Sequence, residues 1–458
     1  MSLLYVLDMA LTIVLVVVLS VYSGKSAKKN KGANSWVVAG AITGTLVGGA
    51  STVGTAQLAY EFGMSAWWYT LGGGISCIVL ALVYAKPFNR SGHNSVFTYV
   101  TDEYGAKNGV LASVFSSAGN FISLISQMIS ATAVIAVVCP EVRTEFALLF
   151  TAGMMVLYVI FGGVKGSGIV GVLKMVLLYS AMILAGITVL KLTKGLSGFT
   201  SMVNNIENPD NVSFFSMFKR GAGKDLGSCL SLLIGVVTSQ SYAQPLFIAA
   251  DSKKAVKGAL LSAALIPPIG IGGILVGLYM RATHPGILSK TALTLFVTEN
   301  FSPLIGGIIM GTLLITVIGS GAGLALGVVK CIKNDVMTNI ARFNKITDRK
   351  STERFLIVIV LFFGCIMSMG GFGDTILNFA FMSMGLRGAA VFIPLNTALW
   401  LKSRVNSGYI CAAIIAAPIT VLIFNLVKSM PFDPLFAGVF VSALISMLGF
   451  FCCQRKKM

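Results

Sequence analysis

The sequence predicts an all-α polytopic membrane protein, and three observations predict it. Hydrophobic residues make up 56% of the 458 residues and charged residues 11%, where soluble domains carry about 25% charged residues. Mean hydropathy is +0.87. About 13 apolar runs of bilayer-crossing length follow one another, whereas β-barrel strands would alternate polar and apolar positions. Basic residues also divide by side. Threading the chain through those runs puts 23 of the 34 Lys and Arg on one side and 9 on the other, with Lys174 and Arg387 left inside spans. The richer side is the cytoplasm. The net charge of +18 is thus a topology signal and not a nucleic-acid surface.

The first span covers 3–22 and lacks a basic leader and a small-residue cleavage site, so no signal peptide is expected. Lys25, Lys28, Lys29 and Lys31 follow it and place the N-terminus outside. The span 35–62 contains Gly48-Gly-Ala-Ser-Thr-Val-Gly-Thr-Ala-Gln57, crowded with Gly, hydroxyls and an amide. A span that only sat in lipid would be filled with Leu, Ile and Val. Two readings stand: a discontinuous helix with freed carbonyls facing a solute or ion, or a small-residue face for close helix packing. Spans at 66–87, 109–138, 146–163 and 169–190 follow. Trp67, Trp68 and Tyr69 open the first of these as an interfacial belt. The run 109–138 carries Ser116, Ser117, Asn120, Ser123, Ser126, Gln127 and Ser130 near helical spacing, so one stripe faces protein or water.

After a polar loop, 226–250 contains Ser239-Gln-Ser-Tyr-Ala-Gln-Pro245, the second interrupted span. The span 258–281 holds Pro267 and Pro268, expected to kink it. Spans at 303–330, 355–369, 375–401, 409–427 and 435–453 complete the chain, and Arg455-Lys-Lys457 puts the C-terminus inside. The cysteines show no metal-ligand spacing, and His93 and His284 fall in loops.

The interrupted spans are the second and the seventh, five apart. That spacing is the signature of an inverted repeat, five helices followed by five of opposite orientation, with the solute site between the two breaks. Substrate contacts are expected from Ser51, Thr52, Thr55 and Gln57 on one side and from Ser239, Gln240 and Tyr242 on the other. The resulting organisation is an N-terminal helix and basic loop at 1–34, a first repeat at 35–193, an outer loop at 194–225, a second repeat at 226–404, and two further helices with a basic tail at 405–458.

Five blocks make the pattern specific: Ser35-Trp-Val-Val-Ala-Gly40, Ala50-Ser-Thr-Val-Gly54, Phe161-Gly-Gly-Val-Lys-Gly166, Phe247-Ile-Ala-Ala-Asp-Ser-Lys-Lys-Ala255, and Ser320 with Asp335. In this order and spacing the chain resembles the sodium:solute symporter family, whose fold is leucine-transporter-like with thirteen helices. The resemblance implies a coupling sodium ion held by the carbonyls of Ala50, Val53 and Thr316 and the hydroxyl of Ser320, an oxygen cage suited to a hard cation. The chain departs from the family pattern at four places. Gly319 stands where the family has a second hydroxyl, Gly171 where it has an Asp, Lys174 where it has a Gln, and Pro245-Leu246 where it has Gln-Arg. Lys174 lies one turn beyond Gly171 on about the same face. Its ammonium is expected to reach toward the Ala50 and Val53 carbonyls and stand in place of sodium, carrying a proton instead. The conservative alternative is that Lys174 snorkels to the interface and sodium is still held loosely. Arg387, also within a span, has two readings: it pairs with a carboxylate substrate, or it faces a vestibule.

The expected function is secondary active transport of a small polar solute, anionic or zwitterionic by the tilt of Lys174 and Arg387, across the cell membrane. The expected partners are that solute and the lipid bilayer, and no cofactor beyond the coupling ion is implied. A sodium-independent or proton-coupled carrier or exchanger is the alternative. A channel would show a filter repeat or charged rings, a sensor an output domain, and an enzyme a nucleophile, metal or acid–base set. None of these motifs is found in the sequence.

Overall fold

A chain this apolar must satisfy its own backbone inside the bilayer, and it does so with helices. The computed structural model describes residues 5, 7–14, 18, 32–207, 211–339, 350–369, 376–402, 404–426 and 432–455, with the backbone alone at 161–170, 339, 350, 426 and 455. Among these residues there is no β-strand, only a parallel bridge between Ala33 and Ala249. Most of the expected span 3–22, the basic loop at Lys25–Lys31, the middle of the loop at 340–349 and the terminal Lys456 and Lys457 lie outside the described residues.

Beyond the bridge at Ala33 comes α1 (Ser35–Leu46), capped by Asn34, whose side chain accepts the Val37 N–H at 2.9 Å. A π turn, Ala50–Gly54, leads into α2 (Thr55–Phe62). Gly63 ends that helix at φ +65°, where a Cβ would lie 2.1 Å from the Phe214 carbonyl oxygen. Then come α3 (Trp67–Val79), α4 (Ala85–Arg90), the short α5 (Phe97–Tyr104) and α6 (Ala106–Val138). Next are α7 (Thr144–Leu192) and the short α8 (Leu196–Asn204).

Two helices, α9 (Ala222–Val237) and α10 (Gln240–Phe247), meet at a 48° bend. Asp251 caps α11 (Ser252–Thr283) by accepting the Lys254 N–H at 2.8 Å. That backbone bond and the Lys254 side chain hold the exposed Asp251 carboxyl below its usual range. α11 runs unbroken through Pro267 and Pro268. The short α12 (Ala292–Asn300) and then α13 (Pro303–Cys331), α14 (Lys350–Met369) and α15 (Ile376–Trp400) follow. Finally α16 (Ser407–Leu426) and α17 (Pro434–Arg455) pack on one another and on α15.

Nine described helices are long and apolar enough to cross a membrane, and the bent pair α9–α10 makes ten. This count is of the described residues, which leave out most of the expected span 3–22, and it omits the shorter α1. One of the nine, Ala50–Arg90, contains the second half of the expected span 35–62 and the span 66–87, joined by the turn at Gly63–Ala66. The reversal expected between 146–163 and 169–190 is replaced by the continuous 49-residue α7. Its glycines weaken a helix by only about 1 kcal/mol each, and no proline stands among them to force a stop.

The site is positioned by α6, α7 and α13 around α1. α13 is buried along almost its whole length between α6 and α7. α1 crosses α7 so closely that a Cβ on Gly171 would stand 2.0 Å from the Gly40 carbonyl oxygen, and one on Gly44 would stand 3.0 Å from the Gly171 Cα. Small residues let the two backbones touch. Gly171 is therefore required by packing, and no side chain, carboxylate or otherwise, fits there.

Gly171→Ala is accordingly expected to destabilise the folded protein by about 1–3 kcal/mol through overpacking. Gly153→Ala, on the same helix with nothing within 4 Å of its Cβ, is expected to cost nothing measurable. Thermal unfolding of the two purified variants in detergent checks the difference.

Candidate functional site

The first break begins where α1 runs out. Val47 is extended, at φ −87° and ψ 100°. Carbonyls around such a break lose helical partners, and in a dry interior each needs a donor from elsewhere. The Gly44 oxygen receives Lys174 Nζ at 2.9 Å and Ser320 Oγ at 3.0 Å. Ser320 Oγ also reaches the Val47 oxygen at 2.9 Å. Within the segment, Ser51 Oγ bonds the Leu46 oxygen, Thr52 Oγ1 the Gly48 oxygen and Thr55 Oγ1 the Ala50 oxygen. From α6, Gln127 Oε1 accepts the Gly49 N–H at 2.8 Å. A Cβ on Gly48 would stand 2.4 Å from that Gln127 oxygen, and one on Gly49 would stand 2.2 Å from Ser130 Cβ. The paired glycines are what lets α6 reach the break.

Lys174 is buried at 2% exposure. Its ammonium bridges α1 and α13, donating to the carbonyls of Gly44 and, at 3.0 Å, Thr316. A Cβ on Gly319 would lie 2.8 Å from Lys174 Nζ. The bare glycine and the lysine are complementary, since the amine occupies space a hydroxyl side chain would need. This corrects the expected partners. The ammonium meets Gly44, a full turn or more before Ala50 and Val53, because the helix breaks at Val47 and the later carbonyls fold into the π turn. Ala50 and Val53 are buried there.

These residues do not fit a sodium ion beside the lysine. The amine nitrogen already stands within hydrogen-bond distance of the Thr316 carbonyl, one of those such an ion would use, and Ser320 Oγ is engaged with the Gly44 and Val47 carbonyls. A second cation there would meet like-charge repulsion in a low dielectric. Gly171 leaves no room for a compensating carboxylate.

The second break is at Thr238 and Ser239. Ser239 Oγ bonds Asn120 Oδ1 at 3.2 Å, and the Tyr242 ring lies under the Arg387 guanidinium at 5.5 Å. Arg387 is fully buried. It therefore does not open on a vestibule, one of the two readings its position allowed.

Side-chain amides join each break to opposite ends of the bundle. Gln57 accepts the Ile376 N–H at 3.1 Å and donates to Ser289 Oγ at 3.3 Å. Ser289 in turn bonds Glu61 at 2.6 Å, and Tyr60 bonds the His284 carbonyl at 2.8 Å. At the other end Gln240 accepts the Val96 N–H at 2.9 Å and donates to the Asn94 carbonyl at 2.7 Å. Asp335 lies there too, held by Ser113 at 3.0 Å and Ser95 at 3.3 Å.

The structure thus brings Ser51, Thr52 and Thr55 together at the first break, their hydroxyls bonded to their own segment. Ser239 and Tyr242 stand at the second, while Gln57 and Gln240 serve the two ends. Gln127, Asn120 and Gly44 belong to the site without having been assigned to it from sequence. The first two were legible as members of the α6 polar stripe. The Gly44 carbonyl carries no side-chain signal.

Comparison with known proteins agrees with the fold. The model of the Sodium:solute symporter family matches residues 29–416. An uncharacterized symporter, YwcA of Bacillus subtilis (strain 168), is 26% identical over 176 residues. That stretch is 36% of this chain and spans about a third, 34%, of the relative's length. A Na+-coupled sialic acid symporter in a substrate-bound outward-open state superposes with a TM-score of 0.77 at 15% identity, covering 99% of this chain and 98% of that one. A nucleobase-cation-symport-1 family transporter, closed with bromovinylhydantoin bound, gives 0.66 at 10% identity over 93% and 94%. At these identities the two structures share the fold with this chain.

Gln57→Ala removes both bonds at the Ser289 end. Each such bond is worth about 1 kcal/mol, so with both lost that end is expected to open about thirtyfold more often. A cysteine at Phe381, which packs on Tyr69 at 5.6 Å, reports it in a background without the eight native cysteines. Maleimide labelling there should accelerate by that factor, and an unchanged rate removes the latch.

Proposed function

The chain belongs to the sodium:solute symporter family, and from that premise we propose that it is a secondary active transporter of a small polar solute working by alternating access. One observation carries the reading. Two interrupted spans flank a buried polar region, and hydrogen bonds that can break and reform close it at both ends. The reading also places two inverted halves at 35–193 and 226–404, the N-terminus outside and the C-terminus in the cytoplasm of a cell membrane.

The buried Lys174 sets the coupling. Its ammonium holds the carbonyls of α1 and α13 together from within, so the closure that a bound cation would supply is built into the chain. The transporter is then independent of sodium, and any coupled proton is carried by this amine.

Purified protein in proteoliposomes tests this. A sodium gradient is expected to change uptake by less than about twofold, and Lys174→Gln to lower it by about tenfold or more, on the scale of one buried charge-assisted hydrogen bond. Sodium-driven accumulation that survives Lys174→Gln and collapses in Ser320→Ala would restore an ordinary sodium symporter.

A further inference from the structure

The two buried cations differ in what surrounds them. Lys174 lies against backbone carbonyls, dipoles aimed at its charge. Arg387 has no such compensation. Among the described residues no carboxylate oxygen lies within 4 Å of it. Among the described residues its hydrogen bonds go to neutral groups, Asn120 Oδ1, Met384 Sδ and the Tyr242 hydroxyl, and its Nε has no partner. A fully buried guanidinium without a counter-charge is costly, and ordinary folds pair it.

The unsatisfied groups around it share one character. Arg387 Nε and Asn120 Nδ2 are both donors without acceptors, and Ser241 Oγ is a hydroxyl free to donate. Asn120 Nδ2 and Ser241 Oγ converge, 3.8 and 2.2 Å from where a Cβ on Gly327 would stand. Asn120 Oδ1 is already occupied by Arg387 and Ser239, which fixes the amide with its donor side free. A cluster of spare donors around one positive charge is complementary to an acceptor-rich anion.

We propose that Arg387 and Asn120 form a recognition site for a monovalent carboxylate, and that the transported solute is a small monocarboxylic acid. This rests on the transporter reading above and names its substrate class. The planar guanidinium fork matches the two oxygens of a carboxylate. One guanidinium neutralises one negative charge. A dianion would leave a surplus charge in a dry site, because Lys174 is engaged elsewhere. The Tyr242 ring against the guanidinium supplies an apolar wall for the body of the acid.

The test uses full-length purified protein and thermal unfolding. Potassium salts of short monocarboxylates are compared one by one with their primary amides, which match them in size and lack the charge. At least one carboxylate is expected to stabilise the wild type at a concentration about tenfold or more below its amide. Arg387→Gln should abolish that preference, and Arg387→Lys should keep it at reduced affinity. The wild-type comparison decides even where a variant fails to fold. Amides as effective as acids, no carboxylate effective at all, or potassium chloride matching the carboxylates would each overturn the assignment. Uptake separates the two levels. Accumulation of neutral solutes but not acids would sink the carboxylate site alone. If no solute of any charge accumulates, the transporter reading fails, while preferential carboxylate stabilisation would leave the binding site standing.

Discussion

A helix that stops at Val47, inside an apolar span, leaves carbonyl groups that the bilayer cannot satisfy. Much of the site follows from that constraint. Hydroxyls at Ser51, Thr52 and Thr55 fold back onto the segment's own carbonyls. Gln127 reaches in from α6, and Ser320 and Lys174 from α13 and α7. An unsatisfied buried polar group costs about 1–3 kcal/mol. The break survives because three neighbouring helices each contribute a donor or an acceptor. The glycines at 48, 49 and 171 serve the same end, since without them these helices could not approach closely enough.

That arrangement explains the departures from the family pattern as one change with several parts. A lysine at 174 needs space at 319, and glycine provides it. The close crossing of α1 and α7 needs glycine at 171, which removes any place for a carboxylate. Each substitution taken alone reads as a lost sodium ligand. Together they describe a site whose cation is covalently part of the chain.

The architecture was legible in the sequence because its signals are strong and local. Apolar run length, the side bias of Lys and Arg, and polar, glycine-rich interruptions in two spans five apart are all written in residue types. The chemistry at Lys174 was half legible. A lysine within a span announced itself, and its spacing from Gly171 gave the face. Its partners did not, because they are carbonyls, and the register of a broken helix decides which carbonyls are free. The breaking point at Val47 depends on packing of Gly48 and Gly49 against α6, a contact no local pattern records. The partners of Gln57 and Gln240 met the same limit. Their amides were visible, but the loop backbones they bind lie distant in sequence. In α7 the expected boundary between 163 and 169 falls on glycines, yet glycine permits a helix as well as a turn, and the backbone continues as helix.

The two glutamines also bear on how the molecule switches. Each accepts one backbone N–H through its amide oxygen and donates once through its amide nitrogen, Gln57 toward one end and Gln240 toward the other. Each sits just beyond a break, so each bond set links the half-helix after the break to a segment distant in sequence. Net hydrogen bonds are worth about 0.5–1.5 kcal/mol, so breaking one pair costs about 1–3 kcal/mol. That is small enough to reverse on ligand binding and large enough to keep a closed end mostly closed. A solute whose charge satisfies Arg387 contributes on the same scale or above it, through charge-assisted bonds. On the proposed carboxylate site, the buried guanidinium would give the empty protein a reason to open and the loaded protein a reason to close, and the matched latches would allow either end to answer.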